Sequence, residues 1–184
     1  QQLKDLADQY SVKFFYETNV GAGLPVLTTL NDLINSGDRI LKIEGVLSGS
    51  LSFIFNSFKK GLSFSDIVLQ AQENGFTEPD PRVDLSGKDV SRKLLILEIR
   101  QKAEDEGKVL RLIATLEGEK AFISLQKLDE SSPFYNLSGS DNMIVFTSHR
   151  YKERPLVVKG PGAGAEVTAA GVFAEILRIG YYHS

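Results

Sequence analysis

The sequence predicts an α+β domain built on one sheet. The first half carries apolar residues at helical spacing, broken by one β-like run, and the second half carries four short apolar runs separated by turn residues. A glycine-rich break, Gly160-Pro161-Gly162-Ala163-Gly164, then leads into a last helical stretch. Helices mixed with antiparallel-looking strands belong to that class.

Leu3, Leu6, Ala7 and Tyr10 stand at helical spacing, and residues 12–16 read as a strand. Pro25 suits a helix start, Val26, Leu27, Leu30, Leu33 and Ile34 continue the helix, and Gly37 ends it. A strand is expected over 39–47. Ile43 stands there between Lys42 and Glu44, so one face is dry and the other wet. Ser48-Gly49-Ser50 opens a helix with Leu51, Ile54, Phe55 and Phe58 on its apolar side, closed by Gly61. Another helix covers 63–74, and a third runs from Lys88 to about Lys102 after a polar loop with two prolines. Strands follow over 109–116, 121–128, 143–148 and 156–159, with Gly118-Glu119 as a hairpin signal. The final helix covers 166–179.

With 184 residues, 42% of them hydrophobic, the chain suits a single domain with a real core. A net charge of −3 and the absence of any basic stripe argue against nucleic-acid binding. There are no cysteines, which excludes disulfides, zinc–thiolate sites and a thiol nucleophile, and which fits a reducing compartment. No apolar run approaches the roughly 18 residues that span a bilayer, so no membrane partner is expected. Gln1-Gln2-Leu3-Lys4-Asp5 is too polar for a secretory signal and reads as the middle of a longer chain.

The acidic loop Thr77-Glu78-Pro79-Asp80-Pro81-Arg82-Val83-Asp84 feeds a helix carrying Asp89 and Lys93, four residues apart on one face. The pair reads either as a solvated ion pair or as a lysine proton carrier held by carboxylates. The second role needs burial, a bound cation or substrate closure, because carboxylates alone raise a lysine pKa. Gly21-Ala22-Gly23 and the 160–164 stretch precede helices. Each reads as a tight turn or as a backbone cradle for an ion or phosphate. Neither matches the Gly-x-Gly-x-x-Gly dinucleotide fingerprint. His149 and His183 lack any triad or metal spacing.

Four motifs in order closely resemble homoserine dehydrogenase. They are Tyr16-Glu17-Thr18-Asn19-Val20-Gly21-Ala22-Gly23-Leu24-Pro25, Gly45-Val46-Leu47-Ser48-Gly49-Ser50-Leu51-Ser52-Phe53-Ile54, the stretch from Gly75 through Glu78, Asp84 and Asp89 to Lys93, and Gly162-Ala163-Gly164-Ala165-Glu166-Val167-Thr168-Ala169-Ala170-Gly171-Val172-Phe173. The wording Glu-Thr-Asn-Val-Gly-Ala-Gly is most like the dehydrogenase half of bifunctional aspartate kinase–homoserine dehydrogenase. The resemblance implies a mixed sheet with helices packed on one face, forming the catalytic and dimerisation region over 1–184. It implies reversible hydride transfer between NAD(P)H and aspartate semialdehyde to give homoserine, on the way to threonine and methionine. It makes Lys93 the proton donor and acceptor at the substrate oxygen. Glu78 and Asp89 hold the homoserine amino and hydroxyl end, and Asp84 supports the lysine. Gly75, Gly162 and Gly164 approach the nicotinamide cofactor. The backbone carbonyls of Glu17, Val20, Ala22 and Leu24 form a sodium site at the hinge. A homodimer is implied, in the cytoplasm or, for a plant protein, the plastid.

The sequence departs from the family pattern in three places. The dinucleotide-binding (Rossmann) half that precedes this region in the family is absent here. Near residues 98–102 the family usually has several tens more residues, which points to a deletion or an omitted segment. Val83 replaces a frequent aspartate. The alternative expectation is a non-catalytic dimerisation or regulatory module derived from the same enzyme. The apolar residues Ile113, Phe122, Ile123, Leu125, Ile144, Val145 and Phe146 are too many for so small an interior, and a symmetric sheet interface follows as an expectation.

Overall fold

The computed structural model describes residues 2–47, 64–73, 99, 102–139 and 141–182. In chain order these give helices α1 (Gln2–Gln9), α2 (Thr18–Gly21) and α3 (Val26–Asn35), strand β1 (Ile40–Val46), helix α4 (Phe64–Glu73), strands β2 (Val109–Glu117), β3 (Lys120–Leu128), β4 (Asp141–Ser148) and β5 (Leu156–Pro161), and helix α5 (Ala165–Tyr182). The strands form one sheet in the order β3-β2-β1-β4-β5. The α+β class holds, and every pairing between these strands is antiparallel.

Local chemistry accounts for the elements. Gly118, at φ 58°, supplies the left-handed turn between β2 and β3, whose pairing runs unbroken from Val109↔Leu128 to Glu117↔Lys120. On β1, Lys42 and Glu44 point to one face and pair at 2.8 Å. Ile43 points to the other and packs beneath α3. The expected strand over 12–16 is not one, since no strand among the described residues pairs with it.

Two apolar layers close the sheet. On one face Val26 and Leu33 of α3 meet Ile144 and Phe146 of β4, with Val20, Leu24, Leu30, Ile40, Ile43, Leu156 and Val158 around them. On the opposite face Phe134 and Leu137, from the 129–139 connection, cover Val46, Ile113, Met143 and Val145. Arg111 fixes that connection. Its buried guanidinium donates to the carbonyls of Phe134, Tyr135 and Leu137 at 3.2, 3.1 and 2.8 Å, and to its own neighbour Leu110 at 3.1 Å. A buried arginine is tolerable where its donors are matched in this way.

The apolar strand residues therefore divide. Ile113, Ile144, Val145 and Phe146 are interior to the chain itself, whereas Phe122 and Ile123 on edge strand β3 stay 47% and 70% exposed. Among the described residues no helix is long and apolar enough to cross a membrane.

Candidate substrate and cofactor site

The turn over 17–24 is held by two carboxylates. Pro25 occupies the N-cap position of α3 and has no side-chain acceptor to offer the first N–H groups. Glu17 provides one from upstream. Its carboxylate accepts from Leu27 N at 2.6 Å, from Thr28 N at 2.7 Å and from the Thr28 hydroxyl. An anion at a helix N-terminus satisfies orphan donors and suits the dipole. Glu175 on α5 then holds Glu17 in place, accepting from Glu17 N at 2.7 Å and from Thr18 Oγ1 at 2.8 Å. One turn further along α5, Arg178 donates to Thr28 Oγ1 at 3.1 Å.

Helix α5 meets the turn backbone to backbone. A Cβ at Gly171 would stand 2.9 Å from Ala22 O, and a Cβ at Gly23 would stand 2.9 Å from Val167 O. Only glycine at both positions permits this approach. Ala22 itself takes φ 53°, a strained value for a residue with a side chain. The end of β5 joins the same cluster, since a Cβ at Gly160 would touch Leu24 at 3.0 Å. The structure thus brings the turn bearing Glu17, Val20, Ala22 and Leu24 against the two elements on either side of Gly162 and Gly164.

The four carbonyls of the expected sodium site come from one short stretch. Glu17 O already accepts from Val20 N at 3.2 Å and Leu24 O from Val26 N at 2.9 Å, while Ala22 O faces Gly171. Each carbonyl keeps a second lone pair. Among the described residues no group of His, Cys, Asp or Glu is arranged to hold a metal.

Gly162 and Gly164 lie in the loop between β5 and α5, with Gly164 at φ 116°, and Gly164 O accepts from Thr168 N at 3.0 Å. The loop offers bare backbone beside a helix N-terminus, a surface that fits close approach of a nucleotide cofactor. Gly75, Glu78, Asp84, Asp89 and Lys93 lie outside the described residues, as do His183, the 48–63 stretch and the 98–102 junction apart from 99 and 102. Sequence reasoning missed Glu175 and Arg178. Their signal was two charged residues, three apart, in the apolar stretch that follows Thr168.

The homoserine dehydrogenase family model matches residues 25–100 and 98–177. The chain belongs to the homoserine dehydrogenase family. It is 40% identical to a chloroplastic bifunctional aspartokinase/homoserine dehydrogenase 1 of Arabidopsis thaliana, over 98% of this chain and 25% of that protein. It is 44% identical to the homoserine dehydrogenase of Schizosaccharomyces pombe, over 97% of this chain and 61% of that one. Among solved structures, a putative homoserine dehydrogenase of Archaeoglobus fulgidus superposes with a TM-score of 0.79 at 27% identity, covering 97% of this chain and 62% of the other. A hyperthermophilic archaeal homoserine dehydrogenase in complex with NADPH superposes at 0.75 with 25% identity, covering 98% and 60%. The chain therefore spans a quarter to three fifths of the homoserine dehydrogenases it matches.

Proposed function

We propose that this chain is the substrate side of an NAD(P)-dependent oxidoreductase that interconverts aspartate semialdehyde and L-homoserine. The observation that carries the reading is the family match over both halves of the chain, joined to the contact between the 17–24 turn and α5. The family model matches in two pieces that meet at 98–100, which supports the reading of a further segment there in relatives. The NADPH complex of an archaeal relative supports a nicotinamide cofactor.

The bound nicotinamide supplies or accepts the hydride. In this reading Gly75, Gly162 and Gly164 let it come close, and this chain's side chains do the rest. Lys93 gives or takes the proton at the substrate oxygen, which must change protonation as hydride moves. Glu78 and Asp89 grip the ammonium and hydroxyl end through charge-assisted hydrogen bonds, and Asp84 steadies the lysine. A sodium ion on the carbonyls of Glu17, Val20, Ala22 and Leu24 would stiffen the hinge, oxygen ligands being what a hard cation takes. In the same reading the working protein is a homodimer of the cytoplasm or plastid.

The test is kinetic, in the full-length protein that carries this chain. Lys93→Ala should lower kcat by about 10² to 10⁴, the usual loss for a positioned acid/base. Glu78→Ala and Asp89→Ala should raise KM for homoserine more than they lower kcat. Lys93→Arg should not restore turnover, because guanidinium barely deprotonates. Near-normal kcat for Lys93→Ala between about pH 7 and 9, where a tuned lysine titrates, would remove the assignment. The 184-residue chain alone, which lacks the dinucleotide fingerprint, should give no turnover.

A further inference from the structure

Asn142 is the residue the site description leaves unexplained. It stands second in β4, 2% exposed, with its side chain on the face that packs under α3. Its Nδ2 donates to Leu47 O at 3.3 Å, at the point where β1 ends. On its other side it lies directly under the glycine loop, and a Cβ at Gly162 would overlap its amide. Among the described residues its Oδ1 has no donor.

Stability alone does not explain this arrangement. A buried amide whose oxygen meets no donor carries a desolvation cost, and an apolar side chain of the same size would avoid it. The amide nevertheless fills the one space that a side chain at 162 would need, so it sets the depth at which the loop rests on the sheet. It also ties that loop to the end of β1, whose next residues begin the Ser48-Gly49-Ser50 motif.

We propose that Asn142 is a positioning residue for the nicotinamide end of the cofactor, acting through the 162–164 loop. The inference rests on the oxidoreductase reading above. Oδ1 is closed off from solvent, so no ligand atom reaches it directly. Its part is to fix the loop's height and to accept a loop N–H when the loop settles onto bound nucleotide. The neighbouring glycines give the loop the backbone freedom for that small shift.

The experiment measures NADPH binding by fluorescence and thermal unfolding without nucleotide, both in the full-length protein. Asn142→Leu is close in size and removes the unmet acceptor. It should leave Tm within a few degrees or raise it, weaken NADPH binding by about tenfold, the equivalent of one lost hydrogen bond, and leave KM for homoserine within about twofold. Asn142→Ser is the second variant if leucine does not fold, and it should show the same split. Gly162→Ala should lower Tm sharply. Adding Asn142→Ala to it should recover Tm by opening space, without recovering NADPH affinity. Unchanged NADPH affinity in Asn142→Leu overturns the proposal. So does a loss of affinity that only tracks a loss of Tm across the leucine and serine variants, which would make the role structural. If the wild-type protein itself fails to bind NADPH or NADH, the oxidoreductase reading fails instead, and the two failures are thereby distinguished.

Discussion

Strand β4 and helix α5 are both apolar, yet they are held in opposite ways. β4 is paired on both sides, with Met143 and Val145 on one core and Ile144 and Phe146 on the other, and Phe146 is 0% exposed. On α5, Phe173 is 59% exposed and Ile176 56%, with Val172, Leu177 and Tyr181 also open. Among the described residues, what fastens α5 is polar and steric: Glu175 on Glu17 and Thr18, Arg178 on Thr28, and Gly171 against Ala22. Apolar composition by itself does not tell where a segment is anchored. The partners decide.

The sharpest way to break this contrast is to truncate one phenylalanine in each. Phe146→Ala should cost about 3–5 kcal/mol of unfolding free energy, the usual range for a large core side chain, whereas Phe173→Ala should stay within about 0.5 kcal/mol. Urea denaturation of both variants measures the gap. Equal losses would mean that α5 has an apolar partner within the protein and that the contrast is false.

Glu175→Ala comes next. It strands two donors that a charged acceptor now serves, so a loss of about 1.5–3 kcal/mol is expected, concentrated on α5 and the 17–24 turn. Hydrogen exchange should show the amide of Glu17 opening while β4 stays protected. Glu175→Gln keeps a side-chain acceptor and should lose less. Uniform weakening across the sheet would count against an anchoring role local to α5.

These two regions also differ in how far the sequence disclosed them. The β2–β3 hairpin followed from Gly118-Glu119 between apolar runs, and the alternation of β1 from Lys42, Ile43 and Glu44, although the face expected to be wet is covered too, with Val46 buried under Phe134 and Leu137. Those signals are local, set by a two-residue period and a turn. The Glu175 grip joins residues 158 apart in sequence, and no periodicity records such a pairing. Arg111 was hidden for a related reason. Between Leu110 and Leu112 it looks like a solvent-facing residue, and only the fold-back of 129–139 supplies the carbonyls that bury it. Residues 12–16 carried the right residues for a strand but found no partner ladder among the described residues. The tight turn at Gly21-Ala22-Gly23 ahead of α3 was legible, whereas the Glu17 carboxylate that serves the first N–H groups of α3 was not. The catalytic residues rest on motif resemblance, because a proton-carrying lysine and a surface lysine share the same spacing.

A smaller effect on stability, though a large one on mass, is expected at β3. Phe122 and Ile123 project from opposite faces of an edge strand, where unpaired backbone also invites a partner. A homodimer through this edge should sediment as twice the chain mass at micromolar concentration. Ile123→Glu should return it to a monomer while changing the unfolding free energy by no more than about 0.5 kcal/mol. A wild-type monomer at that concentration would remove the interface.

The smallest effect concerns acid, and it bears on the well-packed half alone. Asp38 follows the end of α3 and accepts from Ser148 Oγ at 2.7 Å, and from Arg39 N and Arg150 N at 2.8 and 3.2 Å. The Ser148 hydrogen bond is the main cause that holds its carboxyl below the ordinary aspartate range, with the two backbone donors and the Arg150 charge adding to it. A carboxyl whose pKa is depressed by folding stabilises the fold above its unfolded value, about 3.9. That contribution fades as pH falls from there through the folded value. Wild type should therefore exceed Asp38→Asn in stability at neutral pH, and the difference should shrink below about pH 4. The loss should appear first where β4 turns into 149–151, since Tyr151 N and Arg150 N depend on the same cluster. A difference that stays constant from pH 7 down to about 2 would show that Asp38 serves by shape alone and that its charge contributes nothing to the sheet.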